Sequence, residues 1–347
     1  MLKIINDFKI IVIIIFFLIS ILLFYCLFFL KKVINITGKT MGTTYDIKVV
    51  SKLLDSKNNL NSIINYRLAE INTSFSTYDM TSEISCFNSL ESLEEKFYPS
   101  RDFLSLLFVS EQLYEISGNV WDPTINTVVN AWGFGRADPK NHILNHTELE
   151  FLLDNIGFKK AVNFCNDGSI KKGFINATID FASIAKGFGV DQISLLLHKK
   201  GFDNFLIEIG GEIYAKGSRI DGRSWKIGIN YPEKKISFNK IYKIISLTNK
   251  AVATSGDYRN FIQIEDQIYS HIIDPRTGYP ISNCVTSVSV FAENCTIADG
   301  LATALMVMNP QEAVLFINNL PSTECIITFL EKNENLRSYN SKGIEKL

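Results

Sequence analysis

Hydrophobic positions follow two different patterns along the chain. Residues 10–30 run without a formal charge and are mostly Ile, Leu, Phe and Val. At about 1.5 Å per helical residue, such a run reaches across about 30 Å of hydrocarbon. It predicts one N-terminal membrane helix, preceded by Lys3 and Lys9 and followed by Lys31 and Lys32. Beyond it the pattern becomes amphipathic. Residues 33–50 read as strand with a turn at Met41 and Gly42. Leu60, Ile63, Ile64, Leu68 and Ile71 recur at helical spacing. A second helix is predicted over about 102–116, stopped by Gly118, and a short one near 148–155. Residues 136–147 are polar with Pro139 and predict a surface loop. A further helix is predicted over about 183–199, ending at Gly201. Residues 205–209 and 213–216, split by Gly210 and Gly211, read as a hairpin. Residues 226–291 are strand-rich. Helices over 296–308 and 310–319 follow, with Asn309 as N-cap and Pro310 at the first helical position. A late strand covers 326–330. Helices and antiparallel strands mix without regular βαβ alternation, so the expected class is α+β. No Pro/Gly/Ser-rich linker divides 34–347. The expected organisation is a membrane anchor or signal segment over 1–32 and one folded unit over 33–347.

Composition narrows the function. The 347 residues carry 35 Lys plus Arg against 36 Asp plus Glu. That balance lacks the basic excess a nucleic-acid binder needs to neutralise phosphates. Six cysteines, Cys26, Cys86, Cys165, Cys284, Cys295 and Cys325, form no C-x-x-C pair. They make neither a zinc framework nor a dense disulfide scaffold. Cys26 has Leu23 at a lipobox-like spacing, but Tyr25 is a poor residue before a lipidation cysteine and the apolar run continues past it. An uncleaved anchor is therefore the preferred expectation.

Several nucleotide and hydrolase signatures are missing. There is no G-x-x-x-x-G-K-[ST] loop and no G-x-S-x-G elbow. Gly187-Phe188-Gly189 begins a dinucleotide fingerprint, but Gln192 stands where its third glycine belongs.

Four segments concentrate small, charged and turn-forming residues. In the first, Asp122-Pro123-Thr124 leads to Asn130-Ala131-Trp132-Gly133-Phe134-Gly135. Aromatic rings among glycines suit either stacking on a planar ligand or anchoring a loop in the core. In the second, Asp180-Phe181-Ala182-Ser183-Ile184-Ala185-Lys186-Gly187 passes from a strand end into a helix, with Asp180 or Ser183 as candidate caps. Lys186 falls in the first helical turn, where the dipole disfavours a cation unless an anion such as phosphate binds there. The third joins residues 253–260 to Ser270-His271-Ile272-Ile273-Asp274-Pro275-Arg276. His271 is its candidate base for a hydroxyl proton, with Asp274 or a metal-bound water as the alternative. His142 and His146 share a polar loop and are expected to face solvent. The fourth places Asp299 and Thr303 on one helical face. Their oxygens suit Mg²⁺, whereas Thr296 and Asp299 alone are spaced as a capping-box variant.

Together these segments resemble the FAD:protein FMN transferase family, also called the ApbE family. The resemblance rests on Thr40-Met41-Gly42-Thr43-Thr44-Tyr45, the stretches over 122–135, 180–191, 207–217, 253–260 and 270–280, and Ala298-Asp299-Gly300-Leu301-Ala302-Thr303-Ala304. They occur in the family's order across about 37–308. The resemblance implies an exported, Mg²⁺-dependent enzyme with a fold related to the tunnelling fold. It would transfer the FMN half of FAD to a Thr or Ser hydroxyl of an acceptor protein as a phosphoester, releasing AMP. It also implies FAD contacts at Met41, Tyr78, Ala131, Trp132, Gly133, Asp180, Lys186 and Ile273. Metal contacts are implied at Ser183, through a main-chain or hydroxyl oxygen, and at Asp299 and Thr303. Some members carry a carboxylate where Ala302 stands here, which leaves the third metal ligand to a water. The implied partners are FAD, acceptor proteins such as membrane redox-complex subunits, and the membrane itself. The implied location is the periplasmic side of a bacterial inner membrane. Two alternatives keep the same pocket: an FAD pyrophosphatase yielding FMN and AMP, and a membrane-tethered FAD-binding protein without catalysis.

Overall fold

The computed structural model describes residues 9–21, 30–134, 143–232, 240–256, 261–264, 267–331 and 335–346. Residues 9–21 form helix α1, with apolar side chains such as Ile13 and Phe16 exposed. Among the described residues, no helix is long and apolar enough to cross a membrane. Most of the remainder of the expected anchor, with Cys26, lies outside the described residues. So do Gly135, His142, most of the polar loop around it, and Asp257-Tyr258-Arg259-Asn260.

Strands β1 (Lys31–Thr40) and β2 (Thr43–Lys52) pair in a hairpin. Its turn residues Met41 and Gly42 have φ of 49° and 69°. Of the two-residue turns that follow the right-handed strand twist, the type I′ turn requires positive φ at both positions. Gly42 adopts this freely, whereas Met41 does so at a cost of about 1 kcal/mol or more. Six helices follow: α2 (Lys57–Phe75), α3 (Glu83–Asn88), α4 (Arg101–Ile116), α5 (Asn126–Ala131), α6 (His146–Leu153) and α7 (Phe158–Ala161). The small hairpin β3 (Val162–Phe164) and β4 (Ile170–Lys172) leads to α8 (Ala185–Lys199). Then come β5 (Phe205–Ile209), β6 (Glu212–Lys216), β7 (Trp225–Asn230), β8 (Ile241–Leu247) and β9 (Lys250–Gly256). Strands β10 (Phe261–Ile264), β11 (Gln267–Ser270) and β12 (Val285–Ala292) precede α9 (Cys295–Val307) and α10 (Pro310–Asn318). Strands β13 (Glu324–Leu330) and β14 (Leu336–Asn340) close the chain.

Eight strands form one antiparallel sheet in the order β1-β2-β5-β6-β9-β12-β13-β14. Period-two alternation gives it two apolar faces. Ile36, Ile47, Ile207 and Ile209 join the core under α2, α4, α8 and α9. On the other face, Val50, Ala215, Val252 and Phe291 pack with Trp225, Ile227, Ile229 and Leu247 of the β7–β8 hairpin. A smaller cluster of Val128, Trp132, Leu149, Ile156 and Ile273 gathers around α5 and α6. The chain thus has the mixed helix-and-strand architecture expected of it.

Helices α8 and α9 pack together and cap each other. Gly187 N donates to Asp299 Oδ2 at 3.0 Å. In return, Cys295 N and Thr296 N donate to the Asp191 carboxylate, each at 2.8 Å. Thr296 Oγ1 adds a third bond to Asp191 at 2.6 Å. Each helix therefore satisfies first-turn N–H groups of the other that the local N-cap residues, Ile184 and Asn294, leave unbonded. Asp191→Ala is expected to remove about 2 kcal/mol of stability by orphaning these donors. Urea unfolding monitored by circular dichroism measures that loss.

Two local expectations are corrected here. The N-cap of α8 is Ile184, with no side-chain cap bond. Asp180 Oδ1 instead accepts from Ala182 N at 2.8 Å, and Ser183 Oγ accepts from Trp121 Nε1 at 3.1 Å. The N-cap of α9 is Asn294, whose side chain accepts from Ile297 N. Thr296 and Asp299 therefore do not form a capping pair. Helix α3, the β3–β4 hairpin and β14 had no clear periodic signal. Strand β14 is mostly polar and is held by pairing with β13 and by Tyr339 stacking on Phe329, centroids 4.8 Å apart.

Candidate active site

A cavity of about 540 Å³ opens where the β5–β6 turn, the start of α8, the end of β9 and the middle of α9 converge. Its charged part holds Lys186, Glu212 and Asp299, with the hydroxyls of Ser183, Ser255 and Thr303 nearby. Its apolar part includes Ile125, Val129, Ile227, Ile229 and Ile273.

Gly210 and Gly211, with φ of 65° and 109°, make the two-residue turn that brings Glu212 to the cavity. Period-two alternation puts Glu212 on the helix-covered face of the sheet, beside Ile209. It is 3% exposed. Lys186 Nζ lies 2.7 Å from Glu212 Oε1 and 3.7 Å from Asp299 Oδ2. This explains how a cation is tolerated in the first turn of α8: two carboxylates face it across the helix start. Burial would pull the Lys186 ammonium down, but Asp299 and Glu212 outweigh it and hold it above the ordinary lysine value. Burial pushes Glu212 upward, the Lys186 ammonium beside it pulls it back, and Asp299 adds a further push. Asp299, 2% exposed, is also raised by burial, opposed by Lys186 and by the Gly187 N–H.

The metal-ligating expectation can be tested on the donor set. Asp299 spends Oδ2 on Gly187 N and faces Lys186 with the same oxygen, and Oδ1 has no hydrogen-bond partner among the described residues. Thr303 Oγ1 lies 3.1 Å from Ser255 Oγ and donates weakly to Asp299 O at 3.4 Å. Ser183 Oγ accepts one bond from Trp121 and keeps a further lone pair. One carboxylate with neutral hydroxyl oxygens fits a hard cation that completes its shell with water and phosphate oxygens. Among the described residues there is no group of three or more His, Cys, Asp or Glu able to hold a metal. Any ion here would therefore depend on non-carboxylate oxygens beside Asp299.

The other expected site residues divide into two groups. Asp180, Ser183, Lys186, His271, Ile273, Asp299 and Thr303 line the cavity. Among the described wall residues, Met41, Tyr78, Ala131, Trp132, Gly133 and Asp274 do not appear. Met41 packs its thioether end over Gly189. Tyr78 is 81% exposed. Trp132 is 1% exposed; its Nε1 donates to Gly278 O at 2.7 Å and its ring meets Tyr269 and Tyr279. The indole is thus packed in the cluster around α5 and α6. Asp274 is held by Arg276, with contacts at 2.9 and 2.8 Å. His271 meets Phe134 edge-on, centroids 6.5 Å apart. His146 is solvent-facing, as expected, 3.4 Å from Glu150. Glu212, Trp121, Ser255 and Asp191 were not singled out from the sequence.

A half-buried cation flanked by buried carboxylates and by hydroxyls, beside an apolar wall, can receive the phosphate of a ligand. Fold and site together define a mixed helix-and-sheet protein with a charged pocket at the helix–sheet junction. Known proteins of similar sequence and structure make this more specific. The ApbE family model matches residues 41–327. An FAD:protein FMN transferase of Vibrio cholerae is 35% identical over 316 residues, covering 90% of this chain and 92% of the relative. One of Haemophilus influenzae is 35% identical over 290 residues, covering 82% and 83%. The solved flavin transferase ApbE from Vibrio cholerae superposes with a TM-score of 0.80 at 32% identity, over 92% of this chain and 100% of that one. The apo flavinyl transferase ApbE of Pseudomonas stutzeri gives 0.80 at 29% identity, over 91% and 97%. The chain belongs to the ApbE family, and as a member it is an enzyme of the transferase class.

Proposed function

We propose that this protein is a Mg²⁺-dependent FAD:protein FMN transferase that esterifies a Thr or Ser hydroxyl of an acceptor protein with FMN and releases AMP. The observation that carries this reading is the half-buried Lys186, with Asp299 and the Ser183 and Thr303 hydroxyls, at the base of a cavity with an apolar wall. Such a floor suits a diphosphate and such a wall suits a planar ring.

In the reaction, the acceptor oxygen bonds to the flavin-side phosphorus as the P–O bond to adenylate breaks. AMP leaves with that electron pair. Lys186 neutralises charge on the diphosphate oxygens. His271, on the cavity wall, takes the hydroxyl proton, and the Arg276 clamp on Asp274 favours His271 over Asp274 for this role. Asp299, Thr303 and Ser183 would hold Mg²⁺, which supplies Lewis-acid charge stabilisation on phosphoryl oxygens. The family relatives bear the name of this reaction, which supports the choice over simple hydrolysis. The proposal extends to a membrane-tethered enzyme working outside the cytoplasm, supported by the exposed apolar helix α1 and the uncharged run that continues it.

Incubation with FAD, Mg²⁺ and a Thr-containing acceptor domain should add an FMN mass to the acceptor, read by intact mass spectrometry, with AMP in equal amount. Free FMN and an unmodified acceptor would return the pyrophosphatase reading. Intact FAD after long incubation would leave only a binding protein.

A further inference from the structure

Glu212 has no part in the reaction as derived above, yet its placement is specific. It is a buried carboxylate on the sheet face that also carries the apolar Ile47, Ile207 and Ile209. Its Oε1 meets Lys186 Nζ at 2.7 Å, while its Oε2 is buried without a hydrogen-bond partner among the described residues. The turn before it is shaped around the same lysine. A Cβ on Gly210 would stand 3.1 Å from Cδ of Lys186 and 2.8 Å from Cγ2 of Thr43. The glycine thus leaves the channel through which the lysine stem reaches Glu212.

The alternative partner for the ammonium is Asp299, already 3.7 Å away. A lysine that collapsed onto Asp299 would compete directly with a divalent cation for that carboxylate. We infer that Glu212 is a positioning residue that draws the Lys186 ammonium away from Asp299, keeping that carboxylate available to a divalent cation. This rests on the metal role proposed for Asp299. The Gly210-Gly211-Glu212 turn then holds the phosphate-binding cation and the metal ligand apart, although both lie in one buried pocket. The physical basis is that an ion pair out of water is strong enough to fix a flexible side chain, and that a buried carboxylate left alone takes the nearest cation.

The test is Mn²⁺ binding without flavin, followed by electron paramagnetic resonance of the free ion, on the full chain. Wild type, E212Q, K186M and K186M/E212Q are compared. E212Q should bind Mn²⁺ about tenfold more weakly than wild type. In the K186M background, adding E212Q should change nothing, because the lysine to be restrained is gone. An equal loss in both backgrounds would mean that Glu212 attracts the ion by its own charge, and would overturn the inference. So would unchanged binding in E212Q beside a wild type that binds Mn²⁺. A wild type that binds no Mn²⁺, and whose turnover ignores chelators, would instead remove the metal reading itself and the inference with it. Should E212Q fail to fold alone, K186M and K186M/E212Q carry the comparison, because together they remove both charges of the pair. Matching affinities support the inference and a weaker double variant overturns it.

Discussion

On the proposed reaction, Asp299→Asn cuts FMN transfer by about a hundredfold or more while the protein stays folded. Asn matches the shape of Asp and retains an oxygen for the Gly187 N–H, which now lies 3.0 Å from the carboxylate. What it loses is the formal charge, the only carboxylate proposed to hold the metal. A contribution of about 3 kcal/mol to the transition state corresponds to about a hundredfold in rate. The rate is measured as single-turnover labelling of the acceptor at saturating FAD, and the fold by urea denaturation. A purely structural role predicts a different pair of results. Activity would survive in Asp299→Asn, and only Asp299→Ala would lose the roughly 1 kcal/mol that a helix cap contributes. Asp299→Ala mixes the two effects, because it also orphans the Gly187 donor, so Asn is the sharper variant.

Gly187→Ala is expected to lower stability by about 2 kcal/mol and to take activity down with it. A Cβ at this position would sit 2.5 Å from Cys295 O, 2.8 Å from Cys295 C and 2.9 Å from Thr296 Cα. All three belong to the α9 backbone, so no flexible side-chain end can move aside. The intrinsic gain of Ala over Gly inside a helix, about 1 kcal/mol, opposes this but does not cancel it. Relief requires the two helices to separate. That stretches the Gly187–Asp299 bond and the Asp191 bonds to Cys295 and Thr296 together. Urea unfolding and acceptor labelling on the same preparation measure both effects. A variant as stable as wild type would show that the α8–α9 contact has slack and would remove the close-packing account.

These two residues also mark the limit of reading the chain without its fold. Asp299 and Thr303 share a helical face by spacing alone, and that much was legible. The sequence offered two uses for Asp299, a local cap or a metal ligand. The local cap is excluded because Asn294 starts α9 and Asp191 holds Thr296. Trp132 carried two open roles as well. Its burial against Tyr269 and Tyr279 comes from chain brought in from far along the sequence. Glu212 lay inside a stretch that resembled the family, yet nothing local distinguished it from a solvent-facing acid. Its signal was the strand alternation, which places it on the covered face.

Periodicity in this sequence determined the hairpin turns at Met41-Gly42 and Gly210-Gly211, most of the helices, the Asn309-Pro310 helix start and the mixed class. These depend on φ preferences, capping and spacing within a few residues, which the chain carries locally. Only the tertiary structure decided which carboxylates face Lys186, which residues cap α8 and α9, and which aromatic rings are buried. The bond from Gly187 to Asp299 spans 112 positions. Burial and charge pairing act through space, and the distance between two such groups is set by how the helices and the sheet pack, not by their separation along the chain.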